Sequence, residues 1–262
     1  LDGRFPNHHP DPTVPENVKD LVEKVRDTQA QVGVAYDGDA DRLGLIDRNG
    51  KIIWGDEMLI LFARDLLARH PQATVVAEVK CSQRLYDDIR RKGGKPIMWK
   101  AGHSLIKAKM KQTGALLGGE MSGHMFFADD YFGYDDGIYA SCQAVKIMSQ
   151  TGKELHELLE DLPSTFTTPE IRITCPDDLK FSVVETVRVH LGQEHEVVNI
   201  DGVRVRFPDG WGLVRASNTQ PALVLRFEAS SRDRLEIYKG LVEGSVAKAM
   251  QTHGISPKNS GE

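Results

Sequence analysis

Apolar residues at Val18, Leu21, Val22 and Val25 recur at helical spacing behind Thr13 and Pro15, which predicts a helix over residues 15–28. It leads into the β-like run Val32-Gly33-Val34-Ala35-Tyr36. A second such run, Leu43-Gly44-Leu45-Ile46, ends at the turn signal Asp47-Arg48-Asn49-Gly50, so the polar stretch between the two joins strands at a sheet end. From Trp54 the pattern alternates. It predicts helices over 58–69, 83–92, 104–111, 136–149 and 153–161, with strands at 73–79, 96–99 and 115–118. Alternation of this kind reads as layered, mixed α/β structure whose ligand-bearing loops lie at strand ends. The Ser/Thr/Pro-rich stretch 163–169 is the best boundary candidate. Beyond it come a strand at 170–174, a helix over 179–191, hairpin-like strands across 197–207 and 211–216, a strand at 222–228 and a last helix. That order reads as a small α+β domain. The expected organisation is therefore 1–52, 53–162 and 163–262, with a polar, frayed tail at 256–262 and no repeat at a fixed period.

Composition narrows the class. At 262 residues, with 40% hydrophobic and 27% charged content, the chain suits two or three soluble globular domains. No apolar run approaches the roughly 18 residues of a membrane span and no signal-peptide pattern is present, so the expected setting is cytoplasmic, with no membrane partner. The net charge of −5 argues against nucleic-acid binding, including by the lysine-bearing stretch Lys100–Lys111, which lacks interleaved aromatics. Cys81, Cys142 and Cys175 are odd in number and widely spaced, and read as reduced core thiols. The chain opens on Leu1-Asp2-Gly3 without Met and runs into a Pro-rich stretch, which reads as the middle of a protein.

The loop Asp37-Gly38-Asp39-Ala40-Asp41-Arg42 carries three carboxylates at alternate positions. Like charges about 4 Å apart repel by roughly 4 kcal/mol at an effective dielectric near 20, so converging them makes sense around a cation. Oxygen-only ligands favour Mg²⁺ before Ca²⁺. An EF-hand is excluded, because its sixth and twelfth positions would be Arg42 and Arg48. A polar hairpin tip is the plain alternative.

Three further segments carry candidate chemistry. Gly118-Gly119-Glu120-Met121-Ser122-Gly123-His124 sets an acid, a hydroxyl and an imidazole among glycines that let backbone approach a ligand, a mixture suited to sugar hydroxyls. Arg215-Ala216-Ser217-Asn218-Thr219-Gln220-Pro221, with Arg226 beyond, reads as an oxyanion cradle, though Ser-Asn-Thr before Pro is also ordinary turn chemistry. Gly102-His103-Ser104 opens a helix whose N–H groups favour anions; its lysines suit a solvated face, leaving His103 as the candidate. Lys80, at a strand end, is well placed for an anion. His8 and His9 lie side by side in an extended segment and read as loop residues.

In order and spacing, Asp37-Gly38-Asp39-Ala40-Asp41-Arg42, Gly119-Glu120-Met121-Ser122-Gly123-His124 and Arg215-Ala216-Ser217-Asn218-Thr219 resemble the motifs of the α-D-phosphohexomutase family, and of its bacterial phosphomannomutase/phosphoglucomutase branch in particular. The resemblance implies part of a second α/β domain, a whole third one and an α+β fourth. It implies that Asp37, Asp39 and Asp41 hold Mg²⁺ and that Arg42 lies beside the reacting phosphoryl group. Glu120 and Ser122 would bind sugar hydroxyls with His124 in the same loop. Arg215, Ser217, Asn218 and Thr219 would grip the non-reacting phosphate, with Arg226 grouped beside them. Lys80 and His103 would line the cleft, His103 as a proton-transfer residue. The family moves a phosphoryl group between an active-site phosphoserine and hexose 1- or 6-phosphate through a 1,6-bisphosphate such as glucose 1,6-bisphosphate. Its phosphoserine sits in a Thr-Ala-Ser-His-Asn-Pro type loop of a first domain, and no such loop occurs here. Ser104, Ser122 and Ser217 lie in other motifs. The expected partner is thus a missing amino-terminal part bearing that serine; a non-catalytic sugar-phosphate binder or half of a split enzyme is the alternative. Glu-Met-Ser and Ser-Asn-Thr resemble the mannose/glucose branch rather than glucosamine mutases.

Overall fold

The computed structural model describes residues 2–255 and is a mixed α/β protein that divides into two compact units, Leu1–Leu162 and Pro163–Glu262. The expectation of a frayed tail at 256–262 lies outside the described residues.

In the first unit a 3-10 turn, Pro15–Val18, precedes α1 (Lys19–Thr28). The predicted single helix is thus split, its first turn tightened behind Pro15. Strands β1 (Val32–Tyr36), β2 (Leu43–Asp47) and β3 (Ile52–Ile53) form an antiparallel sheet in that order. Helix α2 (Gly55–Arg69) begins three residues earlier than the apolar run suggests. Glu57 accepts from Trp54 N–H at 3.3 Å and closes the helix start. Met58 to Ala63 are all buried, so this stretch of α2 is apolar on every side and runs through the core.

The rest of the unit is β4 (Thr74–Glu78), α3 (Gln83–Arg91), β5 (Lys95–Trp99), α4 (His103–Thr113), β6 (Leu117–Gly119), β7 (Met125–Phe127), α5 (Gly137–Thr151) and α6 (Leu155–Leu159). Its sheet has the order β5-β4-β6-β7, parallel except for the last pair. The sequence pattern does not show β7, because three residues are too few for alternation to register. It turns the sugar-type loop into the tip of a β6–β7 hairpin. Ligand loops accordingly leave the carboxyl ends of β4 and β6, the positions expected of parallel strands.

The second unit contains β8 (Phe166–Thr167), β9 (Ile171–Thr174), α7 (Lys180–Leu191), β10 (Val197–Val198), β11 (Val203–Phe207), β12 (Gly210–Ala216), β13 (Ala222–Ala229) and α8 (Arg232–Thr252). All strands pair antiparallel in the order β10-β11-β12-β13, with β8 and β9 sharing the outer edge of β13. β8 lies inside the stretch 163–169 read as a domain boundary. Val214, Leu223, Leu225 and Phe227 on the sheet and Val183, Val187, Val242 and Val246 on the helices make one core. Cys81 and Cys175 are buried as expected, whereas Cys142 is exposed: its position on α5 faces away from the core.

Candidate active site

The loop between β1 and β2 is closed by its own first carboxylate. Asp37 Oδ1 accepts from Arg42 N–H at 3.1 Å, its Oδ2 lies 3.2 Å from Arg42 Nε, and Ala40 takes a positive φ of 63° to complete the turn. One carboxylate oxygen each from Asp37, Asp39 and Asp41 falls within 4.8 Å of the others. Burial first, then the charges of Asp37 and Asp39, pushes the Asp41 carboxyl up to about 6. Oxygen ligands this close, with burial and neighbouring negative charge both acting on Asp41, fit a hard divalent cation.

Two backbone hydrogen bonds fasten this loop to its neighbours. Leu43 N–H donates to Gly123 O at 3.0 Å and Gly137 N–H to Ala40 O at 2.9 Å, and an antiparallel bridge joins Arg42 to His124. Both glycines are required by space. A Cβ on Gly123, whose φ is +96°, would lie 2.4 Å from Leu43 O; one on Gly137 would lie 2.8 Å from the carbonyl oxygens of Ala40 and Arg42. The metal-type loop, the sugar-type loop and the start of α5 therefore meet backbone to backbone.

The hairpin tip is equally constrained. Glu120 N–H donates to His124 O at 3.0 Å and Gly123 N–H to Glu120 O at 3.1 Å. The Glu120 side chain accepts from Gly102 N–H at 2.6 Å, so this N–H at the start of α4 is engaged by protein rather than left for an external anion. Burial and the charge of Glu78 push the Glu120 carboxyl up to about 7. Glu78, fully buried at the end of β4, accepts from Met121 N–H at 2.9 Å and lies 3.6 Å from Lys80 Nζ. Ser122, at the hairpin tip, is half-buried.

His124 is buried, and burial lowers its imidazole to about 4, keeping it neutral at pH 7. Its Nδ1 lies 3.1 Å from Asp135 Oδ2 and 3.5 Å from Asp41 Oδ1. His103, about half exposed, stacks on it with ring centroids 5.6 Å apart. Lys107 lies 2.8 Å from Asp135, so one lysine of α4 belongs to this corner and not to a solvated face. His8 and His9 stay in an exposed loop.

In the second unit Arg215 leaves β12 and pairs with Asp201 at 3.0 Å. Register places Arg215 opposite Val224 and Arg226 opposite Leu213, so both arginines share one face of the sheet. Ser217, buried, accepts from the N–H groups of Thr219 and Gln220 at 3.3 and 3.2 Å, while Asn218 and Thr219 stand exposed at the loop tip. Beneath the loop the buried Lys180 donates to Ser217 O at 2.6 Å and Gln220 O at 3.3 Å.

Sequence reading missed Glu78, Asp135, Lys180 and Asp201. Glu78 had a signal, since it ends a parallel strand two residues before Lys80. Asp135 adjoins Asp136, which caps α5 through Tyr139 N–H at 2.8 Å, and a pair of acids before Gly137 reads as capping alone. Lys180 and Asp201 meet their partners only through tertiary contact.

This layered α/β unit with a carboxylate loop, followed by an antiparallel sheet carrying two arginines, belongs to the phosphoglucomutase/phosphomannomutase family. The chain matches that family's alpha/beta/alpha domain II over residues 1–50, its alpha/beta/alpha domain III over 54–166 and its C-terminal domain over 170–243. It is 52% identical over 240 residues to a phosphomannomutase/phosphoglucomutase of Pseudomonas aeruginosa, covering 91% of this chain and 52% of that one. A crystal structure of a phosphoglucomutase/phosphomannomutase family protein from Burkholderia thailandensis superposes with a TM-score of 0.88 at 44% identity, covering 95% of this chain and 53% of that one. An Aspergillus fumigatus N-acetylphosphoglucosamine mutase, in complex with GlcNAc-6P and magnesium, shares the fold at 16% identity, with a TM-score of 0.59 over 81% of this chain and 51% of that one. The chain thus spans about half the length of the curated relatives it matches.

Proposed function

We propose that this chain supplies the metal, sugar and distal-phosphate sites of a phosphohexomutase that interconverts hexose 1-phosphate and hexose 6-phosphate, of glucose or mannose, through a 1,6-bisphosphate. The observation that carries the proposal is the backbone junction of the Asp37–Arg42 loop with the Glu120–His124 hairpin. In this reading 1–52 is the end of domain two, 53–162 domain three and 163–262 domain four. The phosphoserine is supplied by residues other than these 262, in the cytoplasm. Among the described residues no helix is long and apolar enough to cross a membrane.

Asp37, Asp39 and Asp41 would hold Mg²⁺, which when bound neutralises charge on the transferring phosphoryl group. Arg42, held on Asp37, turns its remaining guanidinium donors toward the same group. Glu120 accepts from two neighbouring sugar hydroxyls and Ser122 completes the contact. His124 and His103 take up and return the hydroxyl proton, and Lys80 adds positive charge at the cleft wall. Arg215, Arg226, Ser217, Asn218 and Thr219 bind the non-reacting phosphate, which fixes the sugar's reach.

A coupled assay with glucose 1-phosphate, Mg²⁺ and a trace of glucose 1,6-bisphosphate tests this. The 262 residues alone are expected to give no turnover, and robust activity would overturn the placement of the phosphoserine. Calorimetry tests the phosphate grip: Arg215→Ala is expected to weaken glucose 1-phosphate binding at least tenfold, in the range of a lost charge-assisted contact. Unchanged affinity would remove Arg215 from the site.

A further inference from the structure

We infer that Lys180 is a positioning residue for the distal-phosphate loop: its ammonium holds the carbonyls of Ser217 and Gln220 beneath the loop and so aims the Asn218 N–H outward at the anion. Lys180, in the first turn of α7, is only 3% exposed. Its Nζ donates to Ser217 O at 2.6 Å, to Gln220 O at 3.3 Å and to Asp177 Oδ1 at 2.6 Å. An ammonium has three hydrogens, so these acceptors use all of them. Lys180 therefore acts on a phosphate through the loop that it grips rather than by touching it.

The loop's own hydrogen bonds leave one N–H over. Ser217 N–H donates to Ala222 O at 2.9 Å, those of Thr219 and Gln220 donate to Ser217 Oγ, Ala222 N–H donates to Gln220 O at 2.8 Å, and Pro221 has none. In the run 217–222, Asn218 N–H alone has no acceptor among the described residues, and it stands exposed at the tip. Its direction follows from Lys180. The 217–218 peptide is trans, so its C=O and N–H point opposite ways. With Ser217 O turned down onto the ammonium, Asn218 N–H points up and away from it, on the open side of the loop.

The charge balance also calls for an anion above the loop. Asp177, the carboxylate paired with Lys180, is 74% exposed, so water screens most of its charge. Lys180 opens α7, and the positive end of a helix opposes a cation. Burying an ammonium there is costly, and a neutral donor would suffice if closing the loop were its whole task. A phosphate over the loop, on Asn218 N–H and beside Arg215, makes use of the charge. The inference rests on the reading of this loop as the phosphate grip.

The test is titration of the 262-residue chain with glucose 1-phosphate, followed by calorimetry and by ¹H–¹⁵N correlation spectra. In the unsubstituted chain the Asn218 amide proton is expected to move downfield at saturation, further than those of Thr219 and Gln220, whose acceptors are already in place. Lys180→Met, which keeps the length of the side chain without its donors or charge, is expected to weaken binding about tenfold and to shrink the Asn218 shift. Lys180→Arg, which restores donors and charge, is expected to recover most of that loss. An Asn218 amide that stays in place at saturation would overturn the inference even if Lys180→Met fails to fold, and so would a Lys180→Met affinity equal to that of the unsubstituted chain. A Lys180→Arg loss as large as that of Lys180→Met would assign the effect to packing and overturn it too. An unsubstituted chain that does not bind glucose 1-phosphate would overturn the phosphate grip and this inference together, whereas binding that depends on Arg215 but not on Lys180 would overturn this inference alone.

Discussion

Glu120 carries a cost that its proposed role in gripping sugar hydroxyls explains. Its carboxyl is pushed up to about 7 from an ordinary value of 4.5, first by burial and then by the charge of Glu78. The folded chain therefore binds a proton between pH 4.5 and 7 that the unfolded chain has released. Stability from this group is fully present below about 4.5 and is lost as pH rises through about 7, a difference on the order of 3 kcal/mol. Glu120→Gln keeps an acceptor for Gly102 N–H and removes the charge. It is expected to raise the Tm at pH 8, with the gain shrinking toward pH 4.5, while weakening sugar-phosphate binding above about pH 7, where Glu120 is ionised. A Tm unchanged at pH 8 would show that Glu120 is not paying an ionisation cost. In the unsubstituted chain, calorimetric affinity for glucose 1-phosphate should fall as pH drops below about 7, since a protonated Glu120 accepts from fewer hydroxyls.

Among elements, the first unit depends on two kinds of junction. One is ionic: Arg64 on α2 pairs with the buried Asp88 of α3 at 2.8 Å, and also reaches Asp161 and Leu158 O beside α6. Removing the guanidinium leaves Asp88 buried with only Arg91, a half-exposed partner. Arg64→Met is expected to destabilise the unit by about 3 kcal/mol in urea unfolding, and Arg64→Met with Asp88→Leu by less, because breaking one side of a buried pair is worse than replacing both. Equal losses in the two variants would deny that the network is coupled. The other junction is steric. Gly137→Ala pushes a methyl group onto the carbonyls of Ala40 and Arg42, both 2.8 Å away. Magnesium affinity, measured by calorimetry, is expected to drop at least tenfold while far-UV circular dichroism is preserved; an unchanged affinity would mean the loop does not need this anchor.

At the scale of the molecule, each unit has its own main core, one built around α2 with two smaller clusters beside it and one between α7, α8 and their sheet. Two cores predict two unfolding transitions rather than one. Mg²⁺ at 100 times its Kd should stabilise the unit that carries Asp37, Asp39 and Asp41 by about 2.7 kcal/mol. Calorimetric scans with and without EDTA are expected to move one transition and leave the other in place. Movement of both would show that the metal's influence reaches the second core.

The residue pattern by itself determined the mixed α/β class, nearly every helix and strand, and the three loops that hold carboxylates, sugar-type groups and arginines. Local rules suffice for these: apolar periodicity marks elements, and clustered polar residues at strand ends mark loops. Tertiary structure alone decided which loops touch and what holds their side chains. Glu78 reaches Met121 across 43 residues and Lys180 reaches Ser217 across 37. His103, His124 and Asp135 converge from α4, the β6–β7 hairpin and the approach to α5. The physical reason is that a buried polar atom needs a partner wherever the chain can bring one, and sequence spacing carries no record of that choice.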